Sequence, residues 1–455
     1  MFNRSSYQGC VGIKRSASRR RNGLSICSSE PIHLSWTASC YRCPTTRCRS
    51  LSSNSNHHQL CEMVCLSTIP TLKFVASAND LIECQIVQQT RPKLGKVSIN
   101  FIRTFKAACN FRGNAMMVIP KGDFLIGPII FQGPCFNPSS LIIQANGIVK
   151  AQADLSYFTG GADDTDWITF QSINGLILSG TGTFHGQGAK AWKYNDCAQK
   201  SHCVRLAANF KFNKVNDAII NGINSIDPKG FHIMVTVCRN FRLLNLKLQA
   251  PGDSPNTDGI HISKSNVVKI AHCVIGTGDD CVSMIHGSID ISVNKVICGP
   301  GHGFSVGSLG HYDDEADVNK IVVTNSSLTD TTNGVRIKTY KTDSPSKASS
   351  IFFTDLIMNR VKNPIIIDQE YGNRRSTQTS KVSISDVRFV NIKGTSISKV
   401  AVQFLCSKSN PCEGIQMNNI DLQYVGPPRD QQPFESNCTN AKVSYVGLQN
   451  PPPCR

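Results

Sequence analysis

This 455-residue sequence has no run of about 18 apolar residues, so it offers no candidate transmembrane helix. Helical periodicity is also scarce, which argues against an all-α fold. Charged residues make up only 17% of the chain, against 40% hydrophobic residues. That balance excludes disorder of the whole chain and permits a sizeable core, in one large or two ordinary domains.

Acidic residues are missing from the start of the chain, where none precedes Glu30. The first 100 residues carry 13 Lys or Arg and 4 Asp or Glu, within a net charge of +17. Residues 1–95 are predicted to be a basic, Cys-rich extension, and their composition fits a disordered segment, an organellar transit peptide or a nucleic-acid-like patch. Leu60–Ala78 ends like a signal-peptide cleavage site, although Glu62 and Lys73 interrupt its apolar part. The mildly basic remainder suits a polyanionic ligand, but it equally suits a surface without such a partner.

Histidine is absent from metal-ligand spacing around the close cysteine pairs, which favours short-loop disulfides in an oxidising compartment. The candidate pairs share short separations, and they are Cys197/Cys203, Cys281/Cys298, Cys406/Cys412 and Cys438/Cys454. Three Asn-x-Ser/Thr acceptors, Asn3, Asn325 and Asn437, agree with secretion. In the extension, Cys40, Cys43, Cys61 and Cys65 leave a structural zinc site open as an alternative.

Short β-branched runs separated by Gly, Asn and Asp dominate from residue 96 onward, and residues 96–455 are predicted to form one all-β domain. Lys96–Asn110 is the one plausible helix, with apolar residues at steps of three and four. The first predicted strands are Met116–Pro120, Phe124–Phe131, Leu141–Val149, Trp167–Phe170 and Leu176–Leu178.

A loose internal repeat follows, in which each unit is a short strand, a polar corner and a second short strand. The units begin with Leu243–Leu246, Val268–His272, Ile291–Asn294, Ile321–Asn325, Ile351–Asp355 and Val382–Asp386. A four-stranded propeller blade needs about 40–45 residues, which is longer than this period. A right-handed parallel β-helix therefore fits better, with the helix capping one open end of the solenoid.

Three acids, one histidine and two fixed cations fall between Asn256 and Lys338. The set is Asp258, Asp279, Asp280, His302, Arg336 and Lys338, with Asn256 two residues before the first acid. Stacked coils would bring them to one outer sheet, where residues two apart in a strand share a face. Gly278 would permit a kink that turns both neighbouring acids to one side.

Close carboxylates repel one another, so at least one of the three should keep its proton near the working pH. A protonated acid beside ionised ones is what glycosidic cleavage requires, and Arg336 and Lys338 would hold an anionic group of the substrate. Taken singly, each motif also fits a structural role, as a turn, a solvated strand face or a packed ring.

In combination, the motifs resemble those of the plant polygalacturonases, family 28 glycoside hydrolases that cut the α-1,4-galacturonan of pectin. The sequences of these motifs are most similar to those of the pollen-type exopolygalacturonases. The matching segments are Ser254–His261, Gly278–Cys281, Gly299–Gly303 and Asn333–Thr339, with Trp167, Gly180–Gly188 and Asn363–Gln369 in support. The resemblance extends from about residue 96 to Cys454.

The resemblance implies a right-handed, single-stranded parallel β-helix of the pectin lyase-like type and inverting, exo-acting hydrolysis without metal or cofactor. It implies that Asp279 is the general acid, that Asp258 and Asp280 activate water, and that His302 supports the acid. Substrate-binding roles are implied for Asn256, Arg336, Lys338 and Tyr371. The expected partner is pectic polysaccharide, with no nucleic acid and no membrane, for a monomer secreted to the cell wall.

The sequence also departs from these relatives. The segment that forms their first coil is absent, the run Met284-Ile285-His286 is bulkier than theirs, and the loop after Tyr371 is shortened and lacks a cysteine. An endo-acting enzyme and a catalytically impaired pectin-binding β-helix protein therefore stay open as alternatives. A rhamnogalacturonase is disfavoured, because Arg336 and Lys338 expect a uronate where the bond is cut.

Overall fold

The computed structural model describes residues 62–63, 72–76, 81–86 and 94–454, apart from 138, 159–165, 196–204, 373–376 and 428–433. The fold is a right-handed parallel β-helix, as the repeat predicted. None of the helices in the described part of the chain has the length and apolar character needed to cross a membrane. The predicted zinc tetrad, the Cys197/Cys203 pair and Asn3 lie outside the described residues.

The strands are short in the early coils and longer in the C-terminal ones. In chain order they are β1 (Glu62–Met63), β2 (Leu72–Ala76), β3 (Leu81–Ile86), β4 (Asn114–Ile119), β5 (Asp123–Ile126), β6 (Ile129–Gln132), β7 (Leu141–Ala145), β8 (Ile148–Ala151), β9 (Ile168–Gln171), β10 (Asn174–Gly180), β11 (Thr183–His185), β12 (Phe210–Asn213), β13 (Asn216–Asn221), β14 (Asn224–Ile226), β15 (Ile233–Thr236), β16 (Arg239–Leu244), β17 (Lys247–Gln249), β18 (Ile260–Ser263), β19 (Asn266–Ala271), β20 (Val274–Gly276), β21 (Val282–Met284), β22 (Ile289–Asn294), β23 (Ile297–Cys298), β24 (Phe304–Leu309), β25 (Val318–Thr329), β26 (Asn333–Tyr340), β27 (Lys347–Val361), β28 (Asn363–Tyr371), β29 (Ser383–Ser396), β30 (Val400–Leu405), β31 (Cys412–Tyr424), β32 (Glu435–Thr439) and β33 (Ala441–Asn450). The α-helix is α1 (Leu94–Asn110), and short 3₁₀ turns cover Leu155–Phe158, Gly188–Lys190 and Trp192–Tyr194.

Each early coil has three strands on three faces rather than the two strands predicted. Two runs predicted as single strands are each divided at a corner, at Gly127-Pro128 and at Asn146-Gly147. From β25 onward the first two strands of a coil merge, because β22 and β23 both pair with β25. We call the eleven-stranded stack of β6, β9, β12, β15, β18, β21, β24, β26, β28, β30 and β32 the third face.

The polar corners of the repeat adopt left-handed backbone, which Asn and Asp tolerate better than β-branched residues. Asn245, Asn325 and Asp355 have φ values of 54°, 50° and 54°. The predicted repeat is out of register in its first and last units, because Leu243 pairs with Ile270 rather than with Val268, and Ile351 pairs with Val387 rather than with Val382.

The helix α1 packs its apolar side onto the first coil, as expected for a cap. Phe105 stacks on Phe131 with ring centroids 4.6 Å apart, and Phe101 meets Phe124 edge-on at 5.7 Å. The stack continues into the core through Phe170 and then Phe212, at 5.1 and 5.0 Å.

A strand of the sheet precedes the predicted domain boundary at residues 95/96. Strand β3 lies upstream of it, yet β3 pairs in parallel with β4 and buries Cys84 and Ile86 in the core. A strand therefore precedes β4 in the sheet even though the sequence lacks the relatives' first-coil segment. The reason is that any extended segment with alternating apolar residues can supply backbone hydrogen bonds to an open sheet edge.

Candidate active site

The candidate site lies where the chain turns from the second strand of a coil onto the third face. Asp258 and Asp280 each stand two residues before their third-face strands, β18 and β21. The amide of Gly259 donates to the carbonyl oxygen of Asp280 at 2.9 Å, which holds the two corners side by side. The repeat thus brings together acids that are 22 residues apart in the sequence.

Asp280 is buried between both predicted cations. Its Oδ1 accepts hydrogen bonds from Ser305 Oγ and Arg336 Nη2, each at 2.7 Å, and its Oδ2 accepts one from Lys338 Nζ at 2.9 Å. Burial alone would raise the pKa of Asp280, but the charges of Lys338 and Arg336 outweigh it and hold this pKa well below the ordinary value. Asp280 is therefore ionised over the usual working range of pH.

Asp279 is the most accessible of the three acids and is held by a different set of groups. Its Oδ1 lies 2.9 Å from His302 Nδ1, and its Oδ2 accepts a hydrogen bond from Asn256 Nδ2 at 3.2 Å. The hydrogen bond to Asp279 raises the pKa of His302 above its ordinary value. The side chain of Asp279 is 19% exposed, against 8% for Asp258 and 2% for Asp280.

Asp258 is buried beside the other two acids. Ser283 Oγ donates to its Oδ2 at 2.8 Å, and His261 Nδ1 lies 3.6 Å away. Burial, followed by the negative charge of Asp279, raises the pKa of Asp258 above its ordinary value. The pKa values of Asp258 and Asp280 are thus moved in opposite directions, so these two neighbouring acids differ in their tendency to hold a proton.

Glycines beside the acids permit close backbone approaches. A Cβ on Gly278 would lie 2.0 Å from the carbonyl oxygen of Ser254, so a side chain there would displace the corner that carries Asp279. Glycine is therefore needed at position 278 for this close approach, which is a different reason from the kink that the sequence predicted. Gly301 and Gly303, with φ values of 153° and 85°, allow His302 to approach Asp279 as expected.

The substrate-binding candidates lie at the site, with two differences from the sequence-based expectation. Asn256 is in left-handed backbone at φ 50°, before β18, so strand alternation does not explain its direction. Arg336 and Lys338 do share a face of β26, but both contact Asp280. The ring centroid of Tyr371 lies 5.2 Å from Lys338 Nζ, so this ring is next to one of the two cations.

Sequence reasoning missed three residues that position the acids, namely His261, Ser283 and Ser305. Each stands three residues after an already selected residue, Asp258, Asp280 and His302 respectively. The register aligns them in one outward column, His261 with Ser283 and Ser283 with Ser305. This shared offset of three residues was the signal in the sequence that could have identified His261, Ser283 and Ser305.

Disulfides support the site and the later coils. Three predicted pairs are present, Cys281–Cys298, Cys406–Cys412 and Cys438–Cys454, and Cys109–Cys135 is an additional one. Met284 from the unusual run points into the core and is fully buried, so it does not crowd the acids.

Ligand atoms of Asp279, Asp280 and His302 lie within 4.8 Å of one another, which is a spacing that could hold a cation. Arg336 and Lys338 already place two positive charges on Asp280. These charges oppose the binding of a further cation at that carboxylate.

Comparison with known proteins agrees with this geometry. An exopolygalacturonase of Arabidopsis thaliana is 43% identical over 375 residues, covering 80% of this chain and 86% of that relative. An exopolygalacturonase of Platanus acerifolia is 41% identical, covering 78% and 93%. The solved structure of the endo-xylogalacturonan hydrolase from Aspergillus tubingensis has a TM-score of 0.66 at 22% identity, covering 80% of this chain and all of that one. Residues 109–447 match glycosyl hydrolases family 28, and the chain belongs to that family.

Proposed function

We propose that the chain hydrolyses the α-1,4-galacturonosyl linkages of polygalacturonate and that it acts from the chain end. The observation that carries the proposal is the corner cluster, where three carboxylates of different accessibility lie together and two cations hold one of them, Asp280. Family membership and the exopolygalacturonases among the relatives support it.

In this proposal Asp279 is the general acid, because it is the most accessible of the three carboxyl groups. Asp280 and Asp258 activate water. Asp280 suits a base because its pKa is held low by Lys338 and Arg336, so that it is ionised. His302 orients Asp279 through the contact at Nδ1.

Arg336, Lys338, Asn256 and Tyr371 bind the sugar. Arg336 uses Nε for Ser305 and Nη2 for Asp280, and within the described residues its Nη1 has no hydrogen-bond partner. That nitrogen is available to a galacturonate carboxylate, a geometry for which guanidinium is well suited. The face of the Tyr371 ring offers an apolar surface to a sugar ring next to Lys338.

Inversion of the anomeric carbon is implied by the family resemblance and not by the spacing of the acids. Carboxylate oxygens of Asp279 and Asp280 come within 4.8 Å, whereas inverting enzymes usually keep about 6.5–9.5 Å between the two carboxyl groups. Proton NMR of the first product released decides the point. A β-anomer from the α-linkage means inversion, and an α-anomer means retention.

The direct test is release of reducing sugar from polygalacturonate by the folded protein. Activity that disappears in Asp279→Asn supports the proposal, whereas the absence of any release across about pH 4–7 would refute it. Product size separates the modes of action, since an exo-enzyme releases monomer and an endo-enzyme releases mixed oligomers.

Secretion to the cell wall is the corresponding proposal for location. Four disulfides in the described residues support it, because such bonds persist in oxidising compartments. Exposed Asn325 and Asn437 are open to glycosylation. Sequencing the N-terminus of protein recovered from the wall tests it and shows where processing occurs. We further propose a monomer, which sedimentation of the purified protein tests.

A further inference from the structure

A third acid, outside the site, occupies the same corner position as Asp258 and Asp280. Asp166 stands two residues before β9, and its side chain is fully buried. Backbone hydrogen bonds connect its corner to that of Asp258 through the corners at Ala208 and Phe231. Three strand spacings of about 4.8 Å therefore separate the two acids along the solenoid, roughly 14 Å.

Asp166 holds one arginine and one lysine, as Asp280 does. Arg205 contacts it with two nitrogens, each at 2.9 Å, and Lys211 Nζ lies 3.4 Å from its Oδ2. The amide of Ala208 also donates to Oδ1, at 2.8 Å. Arg205 and Lys211 thus share one buried carboxylate, which fixes their charged groups in place.

The cluster lies at the third face, as the candidate active site does. Lys211, Arg336 and Lys338 are the only Lys or Arg residues in the eleven strands of the third face. Lys211 pairs with Met234, which pairs with His261, so Lys211 lies two strand spacings, roughly 10 Å, from His261.

Aromatic contacts connect Arg205 to the acids. The guanidinium carbon of Arg205 lies 5.4 Å from the centroid of the Phe231 ring, and that ring stacks on His261 at 4.5 Å. His261 in turn lies beside Asp258. A polyanionic chain that reaches the acids along this face therefore meets Arg205 and Lys211 next.

We propose that Arg205 and Lys211, oriented by Asp166, form a second carboxylate subsite for a galacturonate residue that is not next to the cleaved bond. The inference rests on the proposed function for the nature of the ligand. Arg205 is 28% exposed at its side chain, and its two contacts with Asp166 fix the orientation of its guanidinium group. Within the described residues, its Nε has no hydrogen-bond partner and can donate to the sugar carboxylate.

The test is calorimetric binding of a galacturonate oligomer and of its neutral methyl ester, in an Asp279→Asn background that prevents turnover. Arg205→Gln should weaken binding of the acid oligomer by about tenfold, the usual size of one charged hydrogen bond, and Lys211→Met should weaken it similarly. Arg205→Lys should restore much of the affinity. Binding of the methyl ester should change little in any of them.

Arg388→Gln is the matched control. Arg388 also pairs with an aspartate, Asp386, and also lies over a phenylalanine, Phe352, at 4.9 Å. It belongs to β29, outside the third face. This variant should bind both ligands as the parent does.

Unchanged affinity in Arg205→Gln and Lys211→Met, or an equal loss for the methyl ester, overturns the subsite. If Arg205→Gln does not fold, as judged by thermal unfolding, Lys211→Met decides alone. A parent that releases no sugar refutes the proposed function, while the binding comparison still decides the subsite. A parent that cleaves while both variants bind normally refutes only the subsite.

Discussion

The neighbours Asp279 and Asp280 should respond differently to the same substitution. Both are expected to lose activity as Asn, but only Asp280→Asn should also destabilise the fold strongly. It leaves Arg336 and Lys338, whose side chains are 12% and 8% exposed, without their shared carboxylate. Breaking a buried ion pair from one side costs about 3–5 kcal/mol.

The contrast can be worked out as a shift in melting temperature. For an ordered unit of about 360 residues, the entropy of unfolding is roughly 0.75 kcal/mol/K, so Asp280→Asn should lower the Tm by about 4–7 °C. Asp279→Asn keeps one hydrogen bond to a His302 that is 37% exposed, and should cost about 1 kcal/mol or less. Calorimetry on both variants at the same pH measures the difference.

A double variant separates the ion pair from other effects of the substitution. Asp280→Asn combined with Lys338→Met should be more stable than the sum of the two single changes predicts, because the double variant leaves one fewer unpaired charge. Equal stability of Asp279→Asn and Asp280→Asn, or strict additivity in the double variant, would contradict the pairing seen in the structure.

The sign of the pH dependence follows from the two shifted groups. The folded pKa of Asp280 is depressed, so its contribution is full above the unfolded pKa of about 3.9 and is lost as the pH falls through the lower folded value. The negative charge of Asp280 outweighs burial and raises the pKa of Lys338, so its contribution is lost only as the pH rises beyond about 10.4. The stability gap between parent and Asp280→Asn should thus be constant from about pH 4 to 10 and shrink outside that range.

Three further predictions concern the residues around these acids. Ser305→Ala removes one donor to Asp280 and should lower kcat more than it raises KM; an unchanged kcat would contradict a positioning role. Tyr371→Ala should raise KM for polygalacturonate several-fold with a smaller change in kcat, and steady-state kinetics would exclude a sugar-lining role if KM stayed the same. The raised pKa of His302 gives a contribution that is full below about pH 6.5 and fades as the pH rises through the folded value, so His302→Gln should remove that part of the stability–pH curve measured by urea unfolding.

The solenoid and the acids could be predicted because both depend on local pattern. Short β-branched runs with polar corners at a period of 22 to 31 residues indicate stacked coils. The third strand of each coil was missed because runs such as Phe124–Phe131 are apolar across their corner at Gly127-Pro128. Periodicity alone does not distinguish a continuous buried strand from two short strands around a bend.

Contacts between coils were harder to predict, because they depend on register. Close cysteine pairs were found by spacing, whereas Cys109–Cys135 spans 26 residues and depends on how α1 is seated on the first coil. In the same way Ser305 meets Asp280 only because β21 and β24 pair without a shift over Val282–Met284. A change of one residue in that register would turn Ser305 toward the core.

The acids at the coil corners can be located without knowing the strand register, whereas their charged partners cannot. Asp166, Asp258 and Asp280 all stand two residues before a third-face strand, so the position is marked within each coil and can be read locally. The cations that pair with Asp166 and Asp280 come from other coils, Lys211 one coil after Asp166 and Arg336 two coils after Asp280. The sequence alone therefore shows which carboxylates stand just before a third-face strand. It does not show which of them are ionised, because ionisation depends on neighbours that only the stacking of the coils brings into contact.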